Sequence, residues 1–173
     1  PIITKQELNI NPSIGYENWF DNDLGSRSHY NGQTGIGDIA IGGWYQITGS
    51  GSDNTGASIQ GNEVWGPEAS KNIFFETRIV MSDADQMDMF VGFCENGTLA
   101  TGVPFGTNNQ IGFLVVDEAA DIYAVTDNGG TETKTDTGVD FADGSVTGST
   151  ITNDRRLGFI VRGTGQVEFY VDR

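Results

Sequence analysis

Basic side chains are scarce in this chain. Nine Lys and Arg stand against 24 Asp and Glu over 173 residues, giving a formal net charge of −15. Charged residues make up only 19%, below the roughly 25% of ordinary soluble domains, so the acidity comes from missing cations. A sequence pI near 4.1 argues against nucleic-acid binding, since neutralising phosphates takes clustered Lys and Arg. It argues equally against docking on an anionic membrane surface. No apolar run approaches the roughly 18 residues of a membrane-spanning helix, and the N-terminal residues carry no signal-peptide pattern. Cys94 is the single cysteine, which excludes an intramolecular disulfide and leaves stability to packing. Set in Phe90-Val91-Gly92-Phe93-Cys94, it reads as a small buried hydrophobe more readily than as a reactive thiol. His29 is the single histidine, which excludes a His-rich zinc site. Its neighbour Ser28 does not make a catalytic triad, because a triad is a spatial arrangement.

Glycine is abundant, 25 of the residues, about twice ordinary usage. The length suits one domain with a real core. Residues 1–72 are rich in Gly, Asn and Ser and hold all three tryptophans, Trp19, Trp44 and Trp65. Residues 1–35 read as an extended N-terminal arm or loop-rich segment, and 36–173 as a β-sandwich domain. Two short runs, Ile36 to Ile41 and Trp44 to Ile47, flank Gly42-Gly43, which predicts a tight hairpin turn. Stronger strand signals follow at 72–81, 87–94, 111–117, 121–126, 131–137, 157–162 and 166–171, where β-branched and aromatic residues recur. In the last of these Val167, Phe169 and Val171 share one face, and Gln166, Glu168 and Tyr170 the other. Val64 to Lys71 has room for a turn of helix, with Gly66-Pro67 opposing more. Many short strands between Gly/Asn/Asp turns predict an all-β sandwich or barrel, and no fixed repeat supports a propeller or solenoid. The start at Pro1 fits either initiator removal or a trimmed chain, and the end after a strand leaves room for a continuation.

Candidate chemistry is sparse. Asp83, Asp85 and Asp88 could supply oxygen ligands to Ca²⁺. An EF-hand loop starting at Asp83 fails, however, because its sixth and twelfth positions are Asp88 and Cys94 rather than Gly and Glu. Such clusters more often build turns through side chain–backbone hydrogen bonds. Asp117, Glu118 and Asp121 read as a solvated hairpin end. Glycoside hydrolysis needs two carboxylates across a bond. Neither the uneven Asp83, Asp85, Asp88 spacing nor the isolated Glu76 beside Arg78 supplies that arrangement, so the chain is expected not to be an enzyme. Were it one, Asp85 or Glu76 would be the carboxylate to test. Sugar binding without hydrolysis calls for exposed aromatic platforms, and Trp44, Tyr45 and Trp65 are the candidates, with Trp19 and Tyr30 behind them. The competing reading puts these rings in the core or at its ends. Asn96-Gly97-Thr98 matches a glycosylation sequon, a pattern common by chance. Asn153-Asp154-Arg155-Arg156 reads as a polar turn before the penultimate strand, or as a contact for an acidic partner, with Arg162 at that strand's end.

Phe75-Glu76-Thr77-Arg78-Ile79-Val80, Asp88-Met89-Phe90-Val91-Gly92-Phe93, Ile111-Gly112-Phe113, Leu157-Gly158-Phe159-Ile160-Val161 and Val167-Glu168-Phe169-Tyr170-Val171-Asp172 together carry a resemblance. Over about residues 73–173 the chain resembles concanavalin A-like (laminin-G-like) jelly-roll domains, and more narrowly those of tailed-phage virion proteins. The resemblance implies an antiparallel two-sheet jelly-roll sandwich, with six or seven strands in each sheet. It further implies a capsid decoration or cement protein on the outer surface of the shell, in contact with the major capsid protein. A homo-oligomer is expected, with a trimer favoured by the class. Lectins of the same superfamily hold calcium and sugar in their loops, but no ligand position matches here, so no cofactor is expected. A glycan-binding module, free or in a host-recognition device, is the alternative. The strand motifs speak to fold more than to function.

Overall fold

A computed structural model of the chain describes residues 66–95, 109–116, 119–147 and 150–173, together with the backbone of two strands, Gly35–Ile39 and Trp44–Thr48. The segment 1–34, with Trp19, His29 and Tyr30, lies outside the described residues, as do Trp65, Asn96-Gly97-Thr98, Asp117 and Glu118. The described residues contain β-strands and no helix. In chain order the strands are β1 (Gly35–Ile39), β2 (Trp44–Thr48), β3 (Asn72–Ile79), β4 (Met89–Cys94), β5 (Gln110–Val115) and β6 (Asp121–Asp127). They continue with β7 (Glu132–Asp140), β8 (Ser145–Thr147), β9 (Thr150–Thr152), β10 (Arg155–Arg162) and β11 (Gln166–Val171). All pairings are antiparallel. The described residues are all-β, as the turn-punctuated pattern predicts.

Two sheets dominate. One is a three-stranded sheet in the order β11-β10-β3, the other a four-stranded meander in the order β4-β5-β6-β7. β1 with β2 and β8 with β9 form separate two-stranded ribbons. Strand alternation sorts the apolar side chains. In β3 every second residue, Ile73, Phe75, Thr77 and Ile79, is half-buried while its neighbours are exposed. In β11 Val167, Phe169 and Val171 all pack on the core, the face that the sequence assigns them.

Phenylalanines from both sheets meet in that core. Phe75 of β3 stacks on Phe159 of β10, with ring centroids 4.9 Å apart, and Phe93 of β4 stands edge-on to both at 5.5 and 5.3 Å. Phe113 of β5 meets Phe169 of β11 edge-on at 5.3 Å. Such geometry adds about 0.5–1.5 kcal/mol per pair beyond area burial. Phe113, Phe159, Leu157, Val115 and Ile122 are fully buried around it.

Three core phenylalanines follow a glycine: Gly92-Phe93, Gly112-Phe113 and Gly158-Phe159. Alternation sends the phenylalanine inward and its glycine outward. Gly92 and Gly112 are direct cross-strand partners. A Cβ on Gly92 would sit 2.2 Å from the carbonyl oxygen of Ile111, and one on Gly112 2.9 Å from the Phe90 ring. The bare backbone is thus what lets β4 and β5 approach and lets Phe90 cover their outer side.

Three local expectations are corrected. Residues 66–71 form no helix; the Lys71 N–H to Glu68 carbonyl bond, 3.0 Å, closes one turn. β1 and β2 pair in the Ile39–Trp44 register, and the Gly42-Gly43 step lies outside the described residues. Arg155 and Arg156 begin β10 rather than precede it; the turn is Asn153-Asp154, with Asn153 at φ 51°. Cys94 is half-buried at the end of β4, not fully buried.

Candidate functional site

The acidic loop between β3 and β4 is organised by Ala84. Its side chain is buried in the core cluster, which turns Asp83 and Asp85 outward on either side. The Ala84 N–H donates to Asp143 Oδ1 at 2.8 Å. Gly144 N–H donates to the Met81 carbonyl at 2.8 Å, and Asn153 Nδ2 to the Asp143 carbonyl at 2.6 Å. These bonds clamp the loop onto the segment after β7. They bring one carboxylate oxygen from each of Asp83, Asp85 and Asp143 within 4.8 Å of one another. Asp88, grouped with Asp83 and Asp85 in the sequence, is not one of the three, because the loop enters β4 one residue later. Asp143 takes its place from 60 positions along the chain. All three residues are exposed. A hydrogen bond to Asp85, slight desolvation and repulsion from Asp85 and Asp143 hold the Asp83 carboxyl above its ordinary range. These oxygens are the described residues' candidates for a hard cation, and Asp143 is already engaged as the loop's backbone acceptor.

The outer face of the three-stranded sheet is the second candidate. Register places Phe74, Ile160 and Glu168 in one row across β3, β10 and β11, and Glu76, Gly158 and Tyr170 in the next. Tyr170 lies over Gly158, where a Cβ would come within 2.3 Å of the phenol ring. It reaches across β10 to donate to Glu76 Oε2 at 3.2 Å, with the Phe75 carbonyl at 3.4 Å. Burial first, then the Glu76 charge and hydrogen bond, push the Tyr170 hydroxyl above its usual value. Arg162 forms a two-pronged pair with Glu168, 3.0 Å at each nitrogen, which lowers the Glu168 carboxyl. At the other end Arg78 pairs with Asp154, and its hydrogen bond holds that carboxyl below the ordinary range. Phe74 stands among these groups 68% exposed. A shallow depression beside it is lined by Glu76, Ile160, Glu168, Phe169, Tyr170 and Arg173.

Arg155 donates twice to the Asp140 carbonyl, at 2.9 and 2.8 Å, and once to Asp172 at 3.2 Å. Arg156 Nη1 donates to the Arg173 carbonyl at 3.2 Å. Both thus tie β10 to neighbouring chain. Of the sugar-platform residues, Trp44 and Tyr45 sit in β2 opposite Ile39 and Asp38, their side chains outside the described residues. Glu76 and Asp85 are not brought together: Glu76, on β3, accepts from Tyr170, and Asp85 belongs to the acidic loop. Asp121 opens β6 and accepts from the Tyr123 hydroxyl at 3.3 Å. The Asp121 charge, burial, and the more distant Asp136 and Asp140 raise the Tyr123 hydroxyl.

Sequence reasoning passed over Phe74 and Asp143. Phe74 was detectable, since strict alternation puts it opposite Phe75. Asp143 was not, because nothing local links it to Asp83. No family model, curated protein or solved structure matches this chain.

Proposed function

We propose that this chain is a non-enzymatic structural protein of a tailed-phage virion, a decoration or cement protein with a concanavalin A-like jelly-roll fold. On this reading it sits on the outer capsid surface, contacts the major capsid protein and associates with copies of itself. The jelly-roll element is supported by the path of the chain. After β3 it leaves the three-stranded sheet, runs the whole β4–β7 meander in the other, and returns as β10 beside β3. Crossing between layers in this way is what a two-sheet Greek-key fold requires.

The observation that carries the functional reading is the mutual pairing of outward polar groups: Arg162 with Glu168, Arg78 with Asp154, Tyr170 with Glu76, and Arg155 with Asp172. Side chains held in this way present a fixed surface of shape and charge, which suits a protein that binds by its surface. A high negative charge also limits non-specific sticking between densely displayed copies and to DNA. The test is to mix the purified chain with phage particles stripped of it and sediment them. Saturable, stoichiometric binding to the shell supports the proposal. Absence of binding overturns it, and binding only to tails would move the reading to host-glycan recognition.

A further inference from the structure

We propose that the outer face of the three-stranded sheet is a self-association surface, on which two copies of this chain pair about a twofold axis and bury Phe74 in the contact. The first support is apolar exposure in an otherwise polar setting. Phe74 is 68% exposed, the most exposed large hydrophobic side chain among the described residues, and only Met87, at 38%, accompanies it. Half-buried Ile160 lies beside it in the same row. Tyr170, lying over Gly158 rather than standing up from the sheet, keeps the next row low. An exposed aromatic on a flattened sheet face is the kind of anchor that protein interfaces bury.

Charge decides what can cover it. Residues 66–79 and 153–173, which build this sheet and its flanks, hold six cations and five carboxylates. Residues 80–152, which build the meander and the β8–β9 ribbon, hold twelve carboxylates and one cation, Lys134. A second copy carrying −15 is therefore repelled over the meander and tolerated on the Phe74 face. Pairing there places the two acidic sheets on opposite outer sides, as far apart as the fold allows.

The face is also self-complementary, as a twofold contact demands. Phe74 and Ile160 share their row with Glu168, Arg162 lies in the row on one side, and Glu76, Arg78 and Arg156 lie in the rows on the other. A symmetry mate thus meets both signs at each rim. Eight residues of β10 at about 3.3 Å and three strands about 4.8 Å apart give a face of about 26 by 14 Å, roughly 360 Å² per copy against about 800 Å² per partner in a standard interface, the size of a weak, transient contact. Association is accordingly expected to depend on concentration. This surface suits a twofold pair rather than the threefold arrangement suggested by the virion class, and the inference does not depend on what the protein coats.

Sedimentation velocity on the full chain, over a concentration series reaching the high-micromolar range, tests it. The expected result is a monomer–dimer equilibrium that Phe74→Ser weakens at least tenfold while the melting temperature stays unchanged. Arg162→Glu is expected to weaken the dimer as well, and the double exchange Arg162→Glu with Glu168→Arg to restore it, because the swap preserves self-complementarity. A monomer at every concentration would overturn the proposal. So would a dimer or trimer insensitive to Phe74→Ser, which would place the contact elsewhere.

Discussion

Tyr170 and Gly158 face each other across the β10–β11 ladder, and the tyrosine ring occupies the space that a side chain at 158 would fill. The glycine is what permits Tyr170 to cross β10 and reach Glu76 on β3. Gly158→Ala is expected to expel the ring, since the new Cβ would lie 2.3 Å from it. The expected cost is about 1–2 kcal/mol by denaturant unfolding, with loss of the Tyr170 shift described next. Unchanged stability and an unchanged Tyr170 titration would contradict the contact.

Tyr170 is expected to ionise above the ordinary tyrosine value near 10. A raised pKa means that the fold prefers the neutral phenol. Its stabilisation is therefore complete below the unfolded value and is lost as pH rises through the folded one. Ultraviolet difference titration of wild type against Tyr170→Phe isolates the group. Stability of the wild type is expected to fall more steeply above about pH 10 than that of the variant.

Asp154 and Glu168 give the opposite sign. Their hydrogen bonds to Arg78 and Arg162 lower both carboxyls, so their contribution is present above the unfolded values and fades as pH falls through the folded ones. Asp83, raised by Asp85, has a preference for protonation that partly offsets this loss in acid. Carboxyl titration by NMR is expected to find Asp83 above and Asp154 below the ordinary aspartate range, and Glu168 below the ordinary glutamate range. Shifts of the opposite sign at Asp154 and Glu168 would contradict the pairing.

At Asp143 the backbone bond and the clustered charge separate by substitution. Asp143→Ala removes the acceptor for the buried Ala84 N–H and is expected to cost about 1–3 kcal/mol. Asp143→Asn keeps an acceptor oxygen while removing a charge beside Asp83 and Asp85, and is expected to cost much less. Thermal melts of the two variants decide whether the residue acts chiefly as a loop clamp.

In the core, Phe159→Ala is expected to cost about 3–5 kcal/mol, because the ring is fully buried against Phe75, Phe93 and Phe169. Phe74→Ser, a few residues away across the same sheet, is expected to change stability by no more than about 0.5 kcal/mol. Chemical denaturation of both checks that alternation separates the two faces of the three-stranded sheet.

What could be read from the sequence follows from how local the physics is. The faces of β11 were legible because Val167, Phe169 and Val171 obey a period of two with no interruption. β8 and β9 were not, because Ser145-Val146-Thr147 and Thr150-Ile151-Thr152 are short, with one apolar residue each, and look like loop. The β6–β7 register was hidden as well. Between the Asp121–Asp140 and Tyr123–Asp136 pairs, β7 takes two residues more than β6. The Thr137 hydroxyl donates to the Ile122 carbonyl at 2.7 Å in that stretch. The acidic site was half legible. Asp83 and Asp85 stand together around Ala84 in sequence, whereas Asp143 joins them only through tertiary bonds. The phenylalanines that carry the family resemblance prove to be packing residues, which is why they speak to architecture and leave function to surface residues such as Phe74.

The most direct test of the virion reading is a count of this chain in purified tailed-phage particles from its source, by quantitative mass spectrometry. The account predicts hundreds of copies per particle, in fixed ratio to the major capsid protein. Absence from the particles would contradict it.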